Sequence, residues 1–316
     1  MFSIGVVTKN RKYHLNRLLN SLIKLNKKDI INEIIIADGS RENSRLTDNE
    51  INIISECITG DIIYLVAPGD EATGRNMVVK HSNTNWILFL DDDCIPYSNI
   101  LEIYYECILN NNNSNIGAIY GLTEFVGKIT KSFRACYLTP FIYPFTIALS
   151  DDNPDWGPTV CSLFKKEAFN NVYGFDENCP VPVSGTDVDI GIRLNIMGYK
   201  TIMCPDAKVM HTTDTWNSFI GNLKRFFVWG RSEVFLVQTH PDRIYKGNYK
   251  WFVDIYKGQL NVKSKIKFSI LEYMIGYGYL VANTFGYIYQ SLIVKNCSLL
   301  RKRFVFYYCN YIDLKY

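Results

Sequence analysis

Short apolar runs alternate with amphipathic stretches over the first two thirds of the chain. Phe2–Thr8 reads as a strand, and the polar loop Lys9-Asn10-Arg11-Lys12 follows it. Leu15, Leu18, Leu19, Leu22 and Ile23 then recur at helical spacing. Glu33–Ala37 is a second apolar strand, ending at the turn Asp38-Gly39-Ser40, and Asp61–Val66 reads as a third. Pro68-Gly69-Asp70 forms a turn before a helix over Thr73–His81. Trp86–Leu90 is a buried strand that stops abruptly at Asp91-Asp92-Asp93, with Pro96 closing the segment. Strands alternating with helices predict βαβ units and a mostly parallel sheet. Ligands of such sheets bind beyond the carboxyl ends of the strands. Thr8, Asp38 and Asp91–Asp93 all fall at such ends, so one shared site is expected.

The middle of the chain is rich in turns. Asn153–Pro158 breaks the pattern, Thr159–Phe164 reads as a strand, and a helix begins near Ser184–Asp189 with Thr186 as its N-cap. Ile190, Leu194 and Met197 give that helix its apolar spacing, and Gly198 stops it. Lys200–Cys204 is a further strand, and His211 follows a last short apolar stretch. Apart from the polar Asn110–Asn115 loop, there is no low-complexity segment and no long repeat.

Near the C-terminus the pattern changes. Phe268–Val294 is a run of 27 residues with one charge, Glu272. Lys263, Lys265 and Lys267 precede it, and Lys295, Arg301, Lys302 and Arg303 follow. Within it Glu272, Gly276, Tyr279, Asn283, Gly286 and Gln290 are spaced 4, 3, 4, 3, 4, one stripe of polar, small or tyrosine residues along a helix. Three readings are open. The helix lies in a membrane interface with its basic flanks on anionic lipid, or spans a membrane with the stripe packed on a partner, or dimerises or packs as a soluble helix.

Composition sharpens this picture only in part. The 316 residues are 47% hydrophobic and 21% charged, an ordinary globular balance. The net charge of +3 hides an asymmetry, because residues 224–316 hold 15 Lys+Arg against 5 Asp+Glu. A basic tail on an acidic body suggests an anionic partner. With aromatics at 14%, tyrosines crowding the last third and no nucleic-acid-binding pattern, that partner is read as a membrane surface and not a nucleic acid. The nine scattered cysteines form no CxxC pair, which argues for a reducing compartment and against a zinc cluster. No secretory signal is read at the N-terminus, so a cytoplasmic protein, peripheral at the membrane, is expected.

Three adjacent carboxylates at a strand end repel one another. They are tolerable as a solvated turn or around a hard cation, and Mg²⁺ and Mn²⁺ favour oxygen ligands shared with phosphates. Other segments join them in a fixed order. These are Val7-Thr8, Ile36–Ser40, Gly74-Arg75-Asn76, Phe89–Asp93, Tyr173–Glu177, Gly185–Ile190 with Arg193 and Gly198-Tyr199, and Ala207–His211. Together, from about residue 3 to 215, they resemble the family 2 glycosyltransferases.

That resemblance implies a GT-A fold, an α/β nucleotide-diphospho-sugar transferase architecture with a Rossmann-like, mostly parallel sheet and flanking helices, followed by a C-terminal helical extension. It implies an inverting, metal-dependent glycosyltransferase of the hexosyltransferase type. The donor would be a UDP- or GDP-linked sugar and the acceptor a glycan or lipid-linked glycan, in polysaccharide or glycoconjugate synthesis. By the same resemblance, Asp93 is the ligand of Mn²⁺ or Mg²⁺, with Asp91 and His211 completing the metal shell. Thr8, Asp38, Arg75, Asp91 and Asp92 hold the donor nucleotide, and Arg75 suits its diphosphate. Asp187 is the general base and Asp189 its fallback, while Trp156 lies on the acceptor side. One departure stands out: Thr186 occupies the place of the family's usual Glu. The organisation expected is a catalytic domain over 1–215, a helical extension over the active site at 216–262, and a basic, aromatic tail at 263–316 that also offers an oligomer contact through 268–294. A nucleotidyltransferase, and a catalytically impaired glycan-binding or scaffold protein, are the rival readings.

Overall fold

The computed structural model describes residues 1–58, 60–111, 115–139, 141–146, 153–179, 185–244, 267–296 and 299. Residues 112–114 of the polar loop, Ser184, and the basic residues Lys263, Lys265, Arg301, Lys302 and Arg303 lie outside these described residues. In chain order the first elements are β1 (Phe2–Thr8), α1 (Lys12–Leu22), β2 (Ile31–Asp38), α2 (Asp48–Cys57), β3 (Asp61–Val66), α3 (Glu71–His81) and β4 (Trp86–Asp91). There follow β5 (Cys94–Pro96), α4 (Ile100–Asn110), β6 (Ile116–Val126), α5 (Lys131–Cys136), α6 (Tyr143–Thr146), β7 (Cys161–Lys165) and α7 (Lys166–Asn171). The last are α8 (Thr186–Ile196), β8 (Lys200–Thr212), α9 (Phe219–Thr239), α10 (Pro241–Ile244) and α11 (Ile270–Ile293).

The chain forms two compact units. The first comprises 1–127, 144–178 and 186–213, and the second 128–143, 179–185 and 214–316. In the first, the eight strands form one sheet in the order β3-β2-β1-β4-β7-β6-β8-β5. The β3-β2-β1-β4 half is parallel, as the βαβ pattern predicts. The other half is mixed: β7 runs antiparallel to both β4 and β6, β6 runs parallel to β8, and β5 runs antiparallel to β8. Ile4, Val6, Ile34, Ile36, Leu88 and Leu90 are buried on one face of the sheet, where Leu15, Leu18, Leu19 and Leu22 of α1 complete the core. Ile35, Ala37, Ile87 and Phe89 point to the other face, against Val78 and Val79 of α3. Burial on both faces is why these strands are continuous apolar runs and do not alternate.

Most boundaries shift by a residue or two from the sequence expectation, such as β2 starting at Ile31, α3 at Glu71 and β7 at Cys161, and two differences bear on the site. The strand at Lys200 does not stop at Cys204 but continues to Thr212, so His211 sits inside β8. Thr186 is the first residue of α8 and not its cap.

In the second unit α9 and α11 pack side by side along their lengths, and α5 joins α11. The approach is close enough that a Cβ on Gly230 would overlap the Asn283 carbonyl, and one on Gly286 would overlap that of Phe227. The Tyr279 ring stacks on Phe226 with centroids 4.9 Å apart.

Candidate active site

The register of the sheet brings the strand ends together. Thr8 pairs with Asp38 across β1 and β2, and Val7 pairs with Asp91 across β1 and β4. β1 is flanked by β2 and β4, which are reached by connections in opposite directions, so its C-terminal end is the switch point at which such sheets bind ligands. The Thr8 hydroxyl donates to Asp92 Oδ2 at 2.7 Å. The Gly39 amide donates to the Thr8 carbonyl at 2.9 Å, which draws the Asp38 turn against the end of β1.

Asp92 and Asp93 occupy the turn between β4 and β5. The short β5 then pairs with β8, with Cys94 opposite His211. This pairing sets His211 beside Asp93, with Nε2 3.1 Å from Asp93 Oδ1. His211 Nδ1 lies 2.7 Å from the Thr212 carbonyl, which can only accept, so Nδ1 carries a proton. Nε2 therefore points at Asp93 either as a lone pair or as a second N–H. Asp93 Oδ1 is buried without an aligned hydrogen bond, although Nε2 is close. An unsatisfied carboxylate oxygen and an imidazole nitrogen facing one space make a donor pair that suits a divalent cation of the Mn²⁺ type. Cys94 offers its sulfur within 4.8 Å of both. Burial, however, holds its thiol well above the usual range, and a protonated thiol is a poor ligand. Asp91 is not part of this cluster and turns instead towards Arg75.

Arg75 rises from α3. Asp70 caps that helix by accepting from the Thr73 amide at 2.8 Å. Gly74 lets the helix press on β1, since a Cβ there would come within 2.8 Å of Val7 Cγ1. The guanidinium reaches Glu71 at 3.2 Å and Asp91 at 3.8 Å, over the Phe175 ring. Asn76 holds the next segment. Its Nδ2 donates to the Phe175 carbonyl at 2.9 Å and to Glu177 at 2.7 Å, and its Oδ1 accepts from the Phe175 amide at 2.9 Å. The turn there puts Tyr173 and Gly174 in the left-handed region, with φ of 62° and 68°. A Cβ on Gly174 would come 2.5 Å from Asn76 Oδ1, so this position requires glycine.

Asp38 is 1% exposed. Its Oδ1 accepts from the Ser40 amide at 2.7 Å, and its Oδ2 accepts from the Tyr64 hydroxyl. Asp187, in the first turn of α8, accepts from the Val188 amide at 3.0 Å. Burial pushes its pKa up, Arg75 opposes that, and Asp91 adds to it. Asp189 is differently committed. It is buried and paired with Arg193 at 2.5 Å, and Arg193 also donates to the Gly174 carbonyl at 2.7 Å. It thus braces the Tyr173–Glu177 turn. Trp156 is only 9% exposed, and its backbone is pressed by α8 at Gly191.

Two charged residues of the site were not among those expected. Arg11 Nη1 donates to Asp92 Oδ1 at 2.9 Å and to Asp93 Oδ2 at 3.2 Å. Burial works against the Arg11 charge, but Asp92 and Asp93 outweigh it and raise its pKa. Glu71, one helical turn before Arg75, is pushed up to about 7 by desolvation, with Arg75 opposing and Asp91 and Asp187 adding. Arg11 lies in the loop directly after β1, where the strand-end logic that selected Thr8 applies equally. Glu71 stands four residues before Arg75, a spacing that pairs side chains on one helix face.

The remaining pKa directions follow from this packing. Burial raises Asp91, which Arg75 opposes, and raises Asp92 despite Arg11 and Thr8. Burial also works against the charge of Asp93, but His211 and Arg11 outweigh it, so Asp93 is lowered. His211 is raised, because Asp93 outweighs its burial. Glu71, Asp91, Asp92, Asp93 and Asp187 outnumber Arg11, Arg75 and His211. The cluster therefore carries excess negative charge that a cation would neutralise.

The sequence profile of Glycosyl transferase family 2 matches residues 3–173, which span β1 to the turn after α7. The chain belongs to this family. The family 2 chain is 28% identical, over 95 residues, to the O-antigen biosynthesis protein RfbC of Myxococcus xanthus; the match covers 30% of this chain and 7% of the relative's length. The mannosyltransferase PcManGT of Pyrobaculum calidifontis, solved with GDP-Man and Mn²⁺, superposes with a TM-score of 0.58 at 15% identity, covering 93% of this chain and 86% of that one. S. aureus TarS gives a TM-score of 0.50 at 13% identity, covering 90% of this chain and 54% of that one. At these identities the structures establish the shared GT-A fold, and the family match makes the protein a family 2 glycosyltransferase.

Proposed function

We propose that this glycosyltransferase moves a sugar from a nucleotide-diphosphate donor to a hydroxyl of a glycan or lipid-linked acceptor, with inversion, using Mn²⁺ or Mg²⁺ held by Asp93 and His211. The observation that carries this reading is the unsatisfied Asp93 Oδ1 set 3.1 Å from His211 Nε2 at the switch point of a family 2 fold. The Mn²⁺ and GDP-Man in the mannosyltransferase named above are consistent with it. The RfbC match supports a role in cell-surface polysaccharide synthesis.

The residues divide the work as follows. Asp38 and Thr8, at adjoining strand ends, hold the nucleoside, and Asp92 supports Thr8. Arg75 exchanges its contacts with Glu71 and Asp91 for the donor diphosphate, which a planar guanidinium grips in two places. A bound divalent cation would offset the charge that builds on the departing diphosphate. Asp187 accepts the proton of the acceptor hydroxyl as that oxygen bonds to the anomeric carbon. The bond from the anomeric carbon to the phosphate oxygen breaks on the opposite face, and its electron pair leaves with the nucleoside diphosphate. The raised pKa of Asp187 suits a carboxylate that must hold a proton at the transition state. Asp189 is engaged by Arg193 and acts as a brace, not as the base.

Calorimetry of UDP and GDP binding with and without Mn²⁺, followed by a screen of nucleotide sugars for hydrolysis and transfer, tests the proposal. The expected result is binding of one diphosphate that strengthens with Mn²⁺ and weakens in Asp93→Asn. Equal affinity with and without the cation would remove the metal assignment. Failure to turn over any donor would favour a binding protein.

A further inference from the structure

α11 is amphipathic in reverse. Its stripe of Glu272, Gly276, Tyr279, Asn283, Gly286 and Gln290 is the buried side. Each polar member has a partner within the second unit. Glu272 pairs with Arg134 and closes a capping box with Ser269. The Tyr279 hydroxyl meets Ser132 Oγ at 2.7 Å, Asn283 donates to Glu233 at 2.9 Å, and Gln290 accepts from Arg231 at 3.0 Å. The opposite side is apolar and open. Ile270 is 81% exposed, Met274 67%, Tyr277 71%, Phe285 61% and Leu292 56%, with Tyr273 and Tyr289 beside them. A helix in water turns its polar side out. This one has spent its polar residues inward, and its exposed side carries no charge.

We propose that this outward face of α11 lies in the interface of a membrane rich in anionic lipid. Two observations select that occupant, and two more count against its rivals. Exposed Lys267 and Lys295 bracket the helix, and in the sequence Lys263, Lys265, Arg301, Lys302 and Arg303 extend the positive flanks. Apolar contact flanked by cations is the combination that binds an anionic bilayer surface. The face is rich in tyrosine, whose ring is apolar and whose hydroxyl stays wet at headgroup level. A second copy of the chain fits less well. Pairing two such faces would bring together two segments that each carry 15 Lys+Arg against 5 Asp+Glu over 224–316. A span is disfavoured as well, since no described helix is long and apolar enough to cross a membrane.

The inference rests on α11 and not on the catalytic reading, and the test keeps the two apart. The full chain is sedimented with vesicles of phosphatidylcholine alone and with about 30% phosphatidylserine, beside the triple variant Met274→Glu, Tyr277→Glu, Phe285→Glu. These positions are exposed, so the variant should fold, with a wild-type circular dichroism spectrum and unchanged nucleoside diphosphate binding. The wild type should bind only the anionic vesicles, less tightly as salt rises, and the triple variant should bind them at least about tenfold more weakly. Should the triple variant misfold, Tyr277→Glu alone serves, with an expected weakening of about threefold. Binding that the substitutions leave unchanged would overturn the proposal. So would a wild type that ignores anionic vesicles, whether it sediments as a monomer or as a dimer broken by the same substitutions.

Discussion

Arg11 offers the most direct probe of the electrostatics at the end of β4. Its guanidinium reaches Asp92 and Asp93 at 2.9 and 3.2 Å. The acids are 3% and 7% exposed, whereas 42% of the arginine side chain faces solvent. Arg11→Met keeps the stem and removes the charge. Breaking one side of a buried pair costs about 3–5 kcal/mol, and of an exposed pair about 0–1. With buried acids and a half-open cation, about 2 kcal/mol is expected. For a domain of this size that lowers Tm by about 4–8 °C. The response to Mn²⁺ should move in the opposite direction. With Asp92 and Asp93 uncompensated, a divalent cation binds the folded state more tightly, so Mn²⁺ raises the Tm of Arg11→Met by more than that of the wild type. Scanning calorimetry with and without Mn²⁺ reads both effects. An unchanged Tm would show that Arg11 does not balance these acids. A lowered Tm with no added response to Mn²⁺ would show that the acids do not form a cation site.

Asp187→Asn should lose about 10²–10⁴-fold in transfer with donor affinity retained, measured by steady-state kinetics beside calorimetry; wild-type turnover would remove it as the base. Because folding raises the pKa of Asp187, its ionisation costs stability as pH rises above the unfolded value. The Tm of Asp187→Asn should therefore gain on the wild type from acid towards neutral pH, and a constant difference in thermal melts across pH would refute this. The same raised pKa should place the acidic limb of the wild-type kcat/KM profile above the usual carboxylate range, and a limb within that range would count against Asp187. Asp189→Asn should instead destabilise by about 2–3 kcal/mol through loss of the buried pair with Arg193, visible in denaturant titration. Gly230→Ala forces α9 off α11 and should cost about 1–3 kcal/mol or more in the same measurement, whereas Gly278→Ala, which meets nothing within 4 Å, should not destabilise.

The parallel half of the sheet was legible because strands covered on both faces leave continuous apolar runs bounded by turns. The ends of β1, β2 and β4 therefore came out within a residue or so, and with them the meeting of Thr8, Asp38 and the aspartates. The antiparallel insertion of β7 was not legible, since strand direction leaves no mark on composition. The extension of β8 through Pro205 and Asp206 was hidden because both residues disfavour strands, and they fall at the register shift between the two stretches of β8 that pair with β6, Lys200–Met203 and Lys208–Thr212. Asp91 and Asp93 are two residues apart and look alike in sequence. The backbone separates them by ending β4 at Asp91, beside Arg75, and turning Asp93 towards His211.

α11 shows where periodicity stops informing. Spacings of 4 and 3 define a stripe but not its direction. A row of glycine, asparagine, glutamine and tyrosine can face water or form a seam between helices. Glycine decides between them on physical grounds. In a solvent-facing stripe it only weakens the helix, by about 1 kcal/mol relative to alanine. In a seam it admits a neighbouring backbone. Gly286 of α11 and Gly230 of α9 are each met by the other helix's carbonyl, so the two glycines are reciprocal. Once the glycines turn inward, Asn283 and Gln290 must follow and find partners in Glu233 and Arg231. The apolar residues are then left outside by geometry alone. The exposed face of α11 is thus a consequence of how closely two helices approach.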